Sequence, residues 1–379
     1  MSGLYSWSRF AGRTLAAASG IEGAPTKLIF VVTKRCHSRC VYCDIWKVKD
    51  TPGGLDNELS LDEVRSFARA NSFLQWIDFT GGEPTDRPDF VEVIQAFSES
   101  CPDLMLVHFP TNGIATKRIR ETVATLRQTV RARLVVTVSI DGPPELNDRL
   151  RGIRNDFAHA IDSFAAVRRE IGVENTYVGM TLHGHTGSCG RTTSQLVEDT
   201  FAAINAALAE RGEPLIGWGE FHLNIPHFSQ HYYGNQSAHA DDGFGGPAHR
   251  AEIAAAIEAP AARAKTGASL AMRGIERIYR SEARRYLATG RTKITCSALL
   301  STSYLSEKGD VYPCTIWDKP LGNIRNTGFA LMPLIEAARR DGVRAEVVAG
   351  KCPNCWTPCE AYPAIMASPL RSAVALVTG

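Results

Sequence analysis

Three cysteines stand close together near the N-terminal end of the chain, in Cys36-His-Ser-Arg-Cys40-Val-Tyr-Cys43. Thiolates spaced C-x3-C-x2-C on one short loop can hold three irons of a [4Fe–4S] cube. The fourth iron is then left open for a substrate or cofactor, whereas a four-cysteine site has no such opening. Zinc is the other natural partner of soft sulfur. It wants a fourth ligand, however, and His37 lies between two of the cysteines with poor reach. A second group of cysteines lies near the other end. Cys296 and Cys314 flank Gly309, and Cys352-Pro-Asn-Cys355-Trp-Thr-Pro-Cys359 follows. Five thiols are too few for two fully ligated cubes and enough for one. Cys296, Cys314, Cys352 and Cys355 are the preferred set, with Cys359 as spare or replacement. Zinc remains an alternative here, because C-x2-C binds it too.

The elements that would position these groups are legible from patterning. Apolar runs at 28–33, 76–80, 105–110, 134–140, 177–182 and 215–222 read as buried parallel strands. Helical patterns lie between them: 60–71 behind a Ser60…Glu63 capping box, a helix ending near 98 with Pro88 at its start, then 116–129, 156–171 and 192–211. Alternating strand and helix predicts an α/β fold. Its form would be a partial (β/α)6 TIM-like barrel, with chemistry at the C-terminal ends of the strands. The expected organisation is an N-terminal extension over 1–26, the barrel over 27–225, a loop and helical linker over 226–292, and a cysteine-rich unit over 293–379. That last unit would open on a hairpin turning at Lys308-Gly309-Asp310 and continue with a helix near 329–340. Residues 227–246 read as a solvated loop or a lid.

Composition narrows the function classes. The chain has 379 residues, 42 Lys and Arg against 40 Asp and Glu, and a net charge of +2. That balance gives no support to a nucleic acid or an acidic membrane as the main partner. No apolar run approaches the ~18–20 residues of a membrane span. The first 23 residues read as an amphipathic helix rather than a signal peptide, so a reducing cytoplasm is the expected location for ten cysteines.

Taken together, the motifs resemble the radical S-adenosylmethionine (SAM) superfamily. The cysteine spacing, with aromatic Tyr42 just before the last cysteine, is the family's signature. Thr80 then leads into Gly81-Gly82-Glu83-Pro84, which is similar to the family's GGEP motif and implies contact with the SAM methionyl amine. Ser139-Ile140-Asp141-Gly142, followed by Asp148-Arg149-Leu150-Arg151-Gly152, resembles a stretch in the subgroup with auxiliary clusters. There the serine region approaches the SAM ribose and the arginine the carboxylate. The Cys296…Gly309…Cys314 arrangement resembles the opening of SPASM and twitch domains. The resemblance implies reductive cleavage of SAM to a 5′-deoxyadenosyl radical, which takes hydrogen from an unactivated C–H bond. It also implies one auxiliary [4Fe–4S] cluster as electron acceptor.

The preferred reading is dehydrogenation of a small molecule such as a sugar or cyclitol alcohol, with flavodoxin or ferredoxin as one-electron donor. Cross-linking of a ribosomally made peptide is the alternative. A non-catalytic iron–sulfur or zinc protein is the third reading. For the base that such an oxidation needs, His183, Glu220 and His222 are the main candidates, with His185 beside them. Cys101 reads as a buried structural thiol. Cys189, just past the fifth strand, is weighed between a plain loop and a role at the rim. Asn112 is read as a turn residue or a mouth residue.

Overall fold

The computed structural model describes residues 2–183, 190–236, 246–258 and 270–368. Helix α1 (Ser2–Ala18) precedes six βα units. These run β1 (Lys27–Thr33), α2 (Leu61–Ala70), β2 (Trp76–Gly81), α3 (Phe90–Ser100), β3 (Leu106–Thr111), α4 (Thr116–Thr129), β4 (Arg133–Ser139), α5 (Pro144–Arg151), α6 (Asp156–Ile171), β5 (Thr176–Thr181), α7 (Thr193–Glu210) and β6 (Phe221–Asn224). Helices α8 (Gly246–Glu258) and α9 (Leu270–Thr289) come next. The chain then forms β7 (Thr302–Leu305), β8 (Asp310–Tyr312), β9 (Gly322–Asn323), α10 (Met332–Arg340), α11 (Val343–Val348) and α12 (Pro358–Met366).

All strands belong to one sheet, in the order β6-β5-β4-β3-β2-β1-β7-β8-β9. Strands β1 to β6 pair parallel, as the mixed α/β pattern predicts. The C-terminal hairpin continues the same sheet, because β7 lies parallel to β1 with Lys27 opposite Thr302. Strand β1 is buried at every position, since it has a strand on each edge and packing on both faces. Outside it, Phe30, Phe67, Phe79, Phe90, Phe97 and Phe109 form an edge-to-face aromatic core against α2 and α3.

Local chemistry sets the boundaries. Ser60 caps α2 and makes the expected capping box with Glu63. Helix α5 was not anticipated, because its residues read as a turn. Pro144 opens it, and Gly152 at φ 68° closes it in the left-handed conformation. Helix α12 forms inside the cysteine- and proline-rich segment, where Thr357 caps it and Pro358 occupies its first turn. The sixth strand is displaced from its expected span. Leu215 is exposed, Trp218–Glu220 form a 3₁₀ turn, and the strand starts only at Phe221. Among the described residues, no helix is long and apolar enough to cross a membrane.

Candidate active site

The loop leaving β1 carries Cys36, Cys40 and Cys43, all free thiols and all half-buried. It is clamped from both sides. On one side Gly82 N–H donates to the Thr33 carbonyl at 2.9 Å, and Glu83 N–H to that of Arg35 at 2.7 Å. A Cβ on Gly82 would stand 2.1 Å from the Arg35 carbonyl oxygen and 3.0 Å from Cys36 Cβ, so the end of β2 must be glycine to lie under the loop. On the other side the Arg39 and Val41 amides donate to the Arg151 and Leu150 carbonyls at 2.8 and 2.9 Å. The two signature stretches after β2 and β4 are thus the two jaws that hold the cysteine loop.

Burial pushes the Cys36 thiol up to about 12, helped by the neighbouring Glu83 and Cys40. Burial likewise raises Cys40 and Cys43. Such thiols become thiolates only beside a strong cation, as at an iron site. A cleft of about 210 Å³ opens next to Cys36, edged by Arg35, Lys49 and Arg118.

Glu83 is 1% exposed and well occupied. Its Oε1 accepts from Thr85 Oγ1 at 2.7 Å and Thr111 Oγ1 at 2.9 Å, and its Oε2 from the Asn112 amide at 2.7 Å. It therefore ties the ends of β2 and β3 together, with Pro84 starting the short turn beyond. Oε2 keeps lone-pair capacity for one more donor, such as an ammonium group.

Tyr42 Oη donates to Asp141 Oδ2 at 2.5 Å, which also accepts from Arg151 at 2.8 Å. Arg151 Nε lies 3.1 Å from Asp156, and Asn147 donates to the same Asp156 oxygen at 2.8 Å. Arg151 was expected to approach a ligand carboxylate. Its guanidinium pairs here with Asp141 and Asp156, and Asp141 also takes the Tyr42 hydroxyl. Ser139 ends β4 opposite Gly179, on the inner side of the sheet.

The C-terminal thiols fall into two places. Cys296, Cys314 and Cys355 pack with Tyr233, Trp317 and Val347. Backbone amides point at the sulfurs: Ala298 at 3.4 Å from Cys296 Sγ, and Trp317 at 3.3 Å from Cys314 Sγ. Cys352 lies three residues before Cys355 and is half-buried. Cys359 packs apart, with Cys43 and Tyr233 against Ile29, Val31 and Tyr232. Among the described residues no three His, Cys, Asp or Glu side chains converge on a single-ion site.

The segment from Ser229 to Asn235 joins the two cysteine groups. Asn235 donates to the Tyr42 carbonyl at 2.8 Å, and the Asp44 amide to that of Tyr233 at 3.0 Å. His231 donates to the Cys314 carbonyl at 3.1 Å and stacks on Tyr312 at 4.1 Å. Tyr232 reaches Thr80 Oγ1 at 2.5 Å. What read as a solvated loop or lid is, over these residues, an inward strap.

Residues 30–196 match the family model of the Radical SAM superfamily. Over those residues the chain is similar to radical SAM domains. The mycofactocin maturase MftC of Mycobacterium tuberculosis (strain CDC 1551 / Oshkosh) is 35% identical over 130 residues, 34% of this chain and 31% of that protein. The GTP 3′,8-cyclase of Klebsiella pneumoniae (strain 342) is 41% identical over 93 residues, 23% of this chain and 27% of that protein. The chain thus spans about a third or less of the curated relatives it matches. Streptococcus suis SuiB bound to S-adenosylmethionine superposes with a TM-score of 0.49 at 14% identity, over 83% of this chain and 68% of SuiB. BtrN in complex with AdoMet and 2-DOIA gives 0.44 at 12%, over 88% and 93%. The cofactors of a radical SAM domain are a [4Fe–4S] cluster and SAM. The residues fit the cluster: three unpaired soft thiols share one loop, above a glycine pair that leaves no room for a Cβ.

The structure sorts the expected bases. His183 lies just past β5, buried, with its ring 4.6 Å from that of Tyr42. Glu220 is at the wrong end. It precedes β6, opposite the cysteine loop, and its oxygens accept from Arg168 at 2.8 Å and the Gly217 amide at 2.9 Å. Its misplacement follows from the misplaced strand. His222 faces the barrel lumen, 4.7 Å from the Tyr177 ring and 3.2 Å from Glu276 Oε1. His185 and Cys189 lie outside the described residues. Cys101 is buried, as expected, with Sγ 3.7 Å from the Asn71 carbonyl. Sequence reasoning missed the charged lumen: Lys27, Asp78, Glu276 and Glu360. The available signal was Asp78, a lone carboxylate in the middle of an apolar strand.

Proposed function

We propose that this chain is a radical SAM oxidoreductase that dehydrogenates a small polar molecule. When bound, a reduced cluster and SAM supply a 5′-deoxyadenosyl radical able to take hydrogen from an unactivated C–H bond, and an auxiliary cluster supplies a one-electron acceptor. Cys36, Cys40 and Cys43 would hold the first cluster. Cys296, Cys314, Cys352 and Cys355 would hold the auxiliary one, leaving Cys359 toward the lumen. The observation that carries this reading is the pairing of two separate thiol groups across one strap, with amides already aimed at the second group's sulfurs. Tyr42, Asp141 and Arg151 keep the cysteine loop in register with the mouth. Gly81, Gly82 and Glu83 would shape the SAM methionyl pocket, and Ser139 its ribose side. The cationic edge beside Cys36 suits an acidic one-electron donor such as flavodoxin or ferredoxin.

A second reading, modification of a ribosomally made peptide, is favoured by the 35% identity to a maturase. A precursor-peptide gene beside this one would select it. The core reading is tested by incubating reconstituted protein with SAM and dithionite without oxygen. Wild type is expected to form 5′-deoxyadenosine and Cys36→Ala to form none. Equal yields from both would overturn it.

A further inference from the structure

Each turnover of the proposed oxidation leaves one electron at the C-terminal thiols, and that electron must depart before the next turnover. The cationic edge beside Cys36 serves the donor side. The C-terminal thiols have a surface of their own. Cys314 is buried, but Cys352 and Cys355 are half-buried, and Lys351 and Pro353 beside them are exposed. Gly350, at φ 66°, turns the chain from α11 into this loop. Asn354 closes the loop by donating to the Gly350 and Cys352 carbonyls at 3.3 and 3.1 Å, and Tyr286 of α9 reaches the Asn354 carbonyl at 3.3 Å.

Helix α11 is the only other element needed to cover the thiols on this side. Its inner residue Val347 packs with Cys296, Cys314 and Cys355, and Arg344 donates to the Cys296 carbonyl at 2.7 Å. Val348, the next residue, turns outward and is 59% exposed. One turn of helix therefore separates the thiols from solvent.

The rim is cationic. Arg291 is exposed and lies against the loop, with Nη1 3.4 Å from the place a Cβ on Gly350 would take. Arg277, Arg284 and Arg285, all exposed, continue the charge along α9. The carboxylates of α9 and α11 do not offset it. Glu276 and Glu282 turn inward to His222 and the Lys293 amide, and Glu346 pairs with Lys319. An apolar centre of Val348 and Pro353 inside a cationic rim suits a small, transient contact with an acidic protein.

We propose that this face, bounded by Val348, Arg291 and Lys351, docks an acidic one-electron carrier of the flavodoxin type that takes the electron away. The inference rests on reading the C-terminal thiols as the holders of a redox cluster. The step balances: the reduced cube loses one electron, and the flavin quinone gains it with one proton from solvent to become the semiquinone.

The test couples reconstituted protein to oxidised flavodoxin with a carbodiimide, which joins a lysine amine to a carboxylate in contact, and maps the products by mass spectrometry. Lys351 should couple at low ionic strength and cease to couple at high ionic strength. Arg291→Glu should weaken that coupling while leaving iron content and dithionite-driven 5′-deoxyadenosine formation unchanged. A second measurement uses the Cys36/Cys40/Cys43→Ala variant, which isolates the C-terminal site. Once reduced and freed of dithionite, it should convert flavodoxin to the semiquinone, and adding Arg291→Glu should slow this about tenfold at low salt. No coupling at Lys351, or an unchanged rate with Arg291→Glu, would overturn the proposal. If the C-terminal thiols hold iron but Lys351 does not couple, the docking surface alone falls. If Lys351 couples but those thiols hold no iron, the surface binds an acidic protein without a redox use, and the oxidation reading falls with the proposal.

Discussion

At the scale of single residues, Lys27 shows how much depends on pairing. Its ammonium is 1% exposed and bonded to Asp78 and to the Cys359 carbonyl at 2.8 Å, with the Trp76 ring 3.9 Å away. Burial alone would raise the Asp78 carboxyl, but Lys27 and His108 outweigh it and hold it well below the usual range. Lys27→Met strands that carboxylate, so denaturant titration should show a loss of about 3–5 kcal/mol. The Lys27→Met/Asp78→Leu double variant should recover a large part of it. A single variant no worse than the double would contradict the pairing. Glu276 gives a pH signature. Burial raises it, yet His222, Arg280 and the Tyr362 hydrogen bond together hold it down at about 2. A depressed carboxyl stabilises the fold above its ordinary value near 4.5, and that stability drains away as pH falls toward about 2. The denaturation midpoint should therefore drop between those pH values in wild type, and more shallowly in Glu276→Gln. The cysteines were legible in the sequence because their chemistry lies in type and spacing. Lys27 and Glu276 were not, because a charge inside a strand or helix becomes informative only once its partner, far away in sequence, is known.

At the scale of elements, the turn after β2 and the end of α5 act as jaws on the cysteine loop. Gly82→Ala drives a methyl into the Arg35 carbonyl, and backbone must move. Iron analysis of this variant should show the N-terminal site lost and the C-terminal site retained. Full occupancy of both would mean that the close approach is dispensable. The six βα units were readable from periodicity, and the Ser60 cap from its residues. The start of β6 was not, because Leu215 and Ile216 look like strand while the turn at Trp218–Glu220 is set by the distant Arg168. That error carried Glu220 to the wrong end of the barrel. Helix α12 was hidden by its prolines, one of which, Pro363, sits inside it.

At the scale of the whole molecule, barrel and cysteine-rich region share a sheet. Strand β7 completes the edge of β1, and α12 brings Cys359 and Glu360 against the lumen. A four-residue strand carries too little pattern to announce its neighbour, so the parallel pairing of β7 on β1 could not be read in advance. Its consequence is that both thiol groups are fixed to one framework, with Tyr232 and Tyr233 between them at a ring separation of 4.2 Å. The central claim is that each thiol group holds its own cube. Iron and acid-labile sulfide should be counted per chain after anaerobic reconstitution, in wild type and in a Cys36/Cys40/Cys43→Ala variant. The prediction is about eight irons falling to about four. About four falling to none would contradict it, leaving the C-terminal cysteines without a cluster and the oxidation without an internal acceptor.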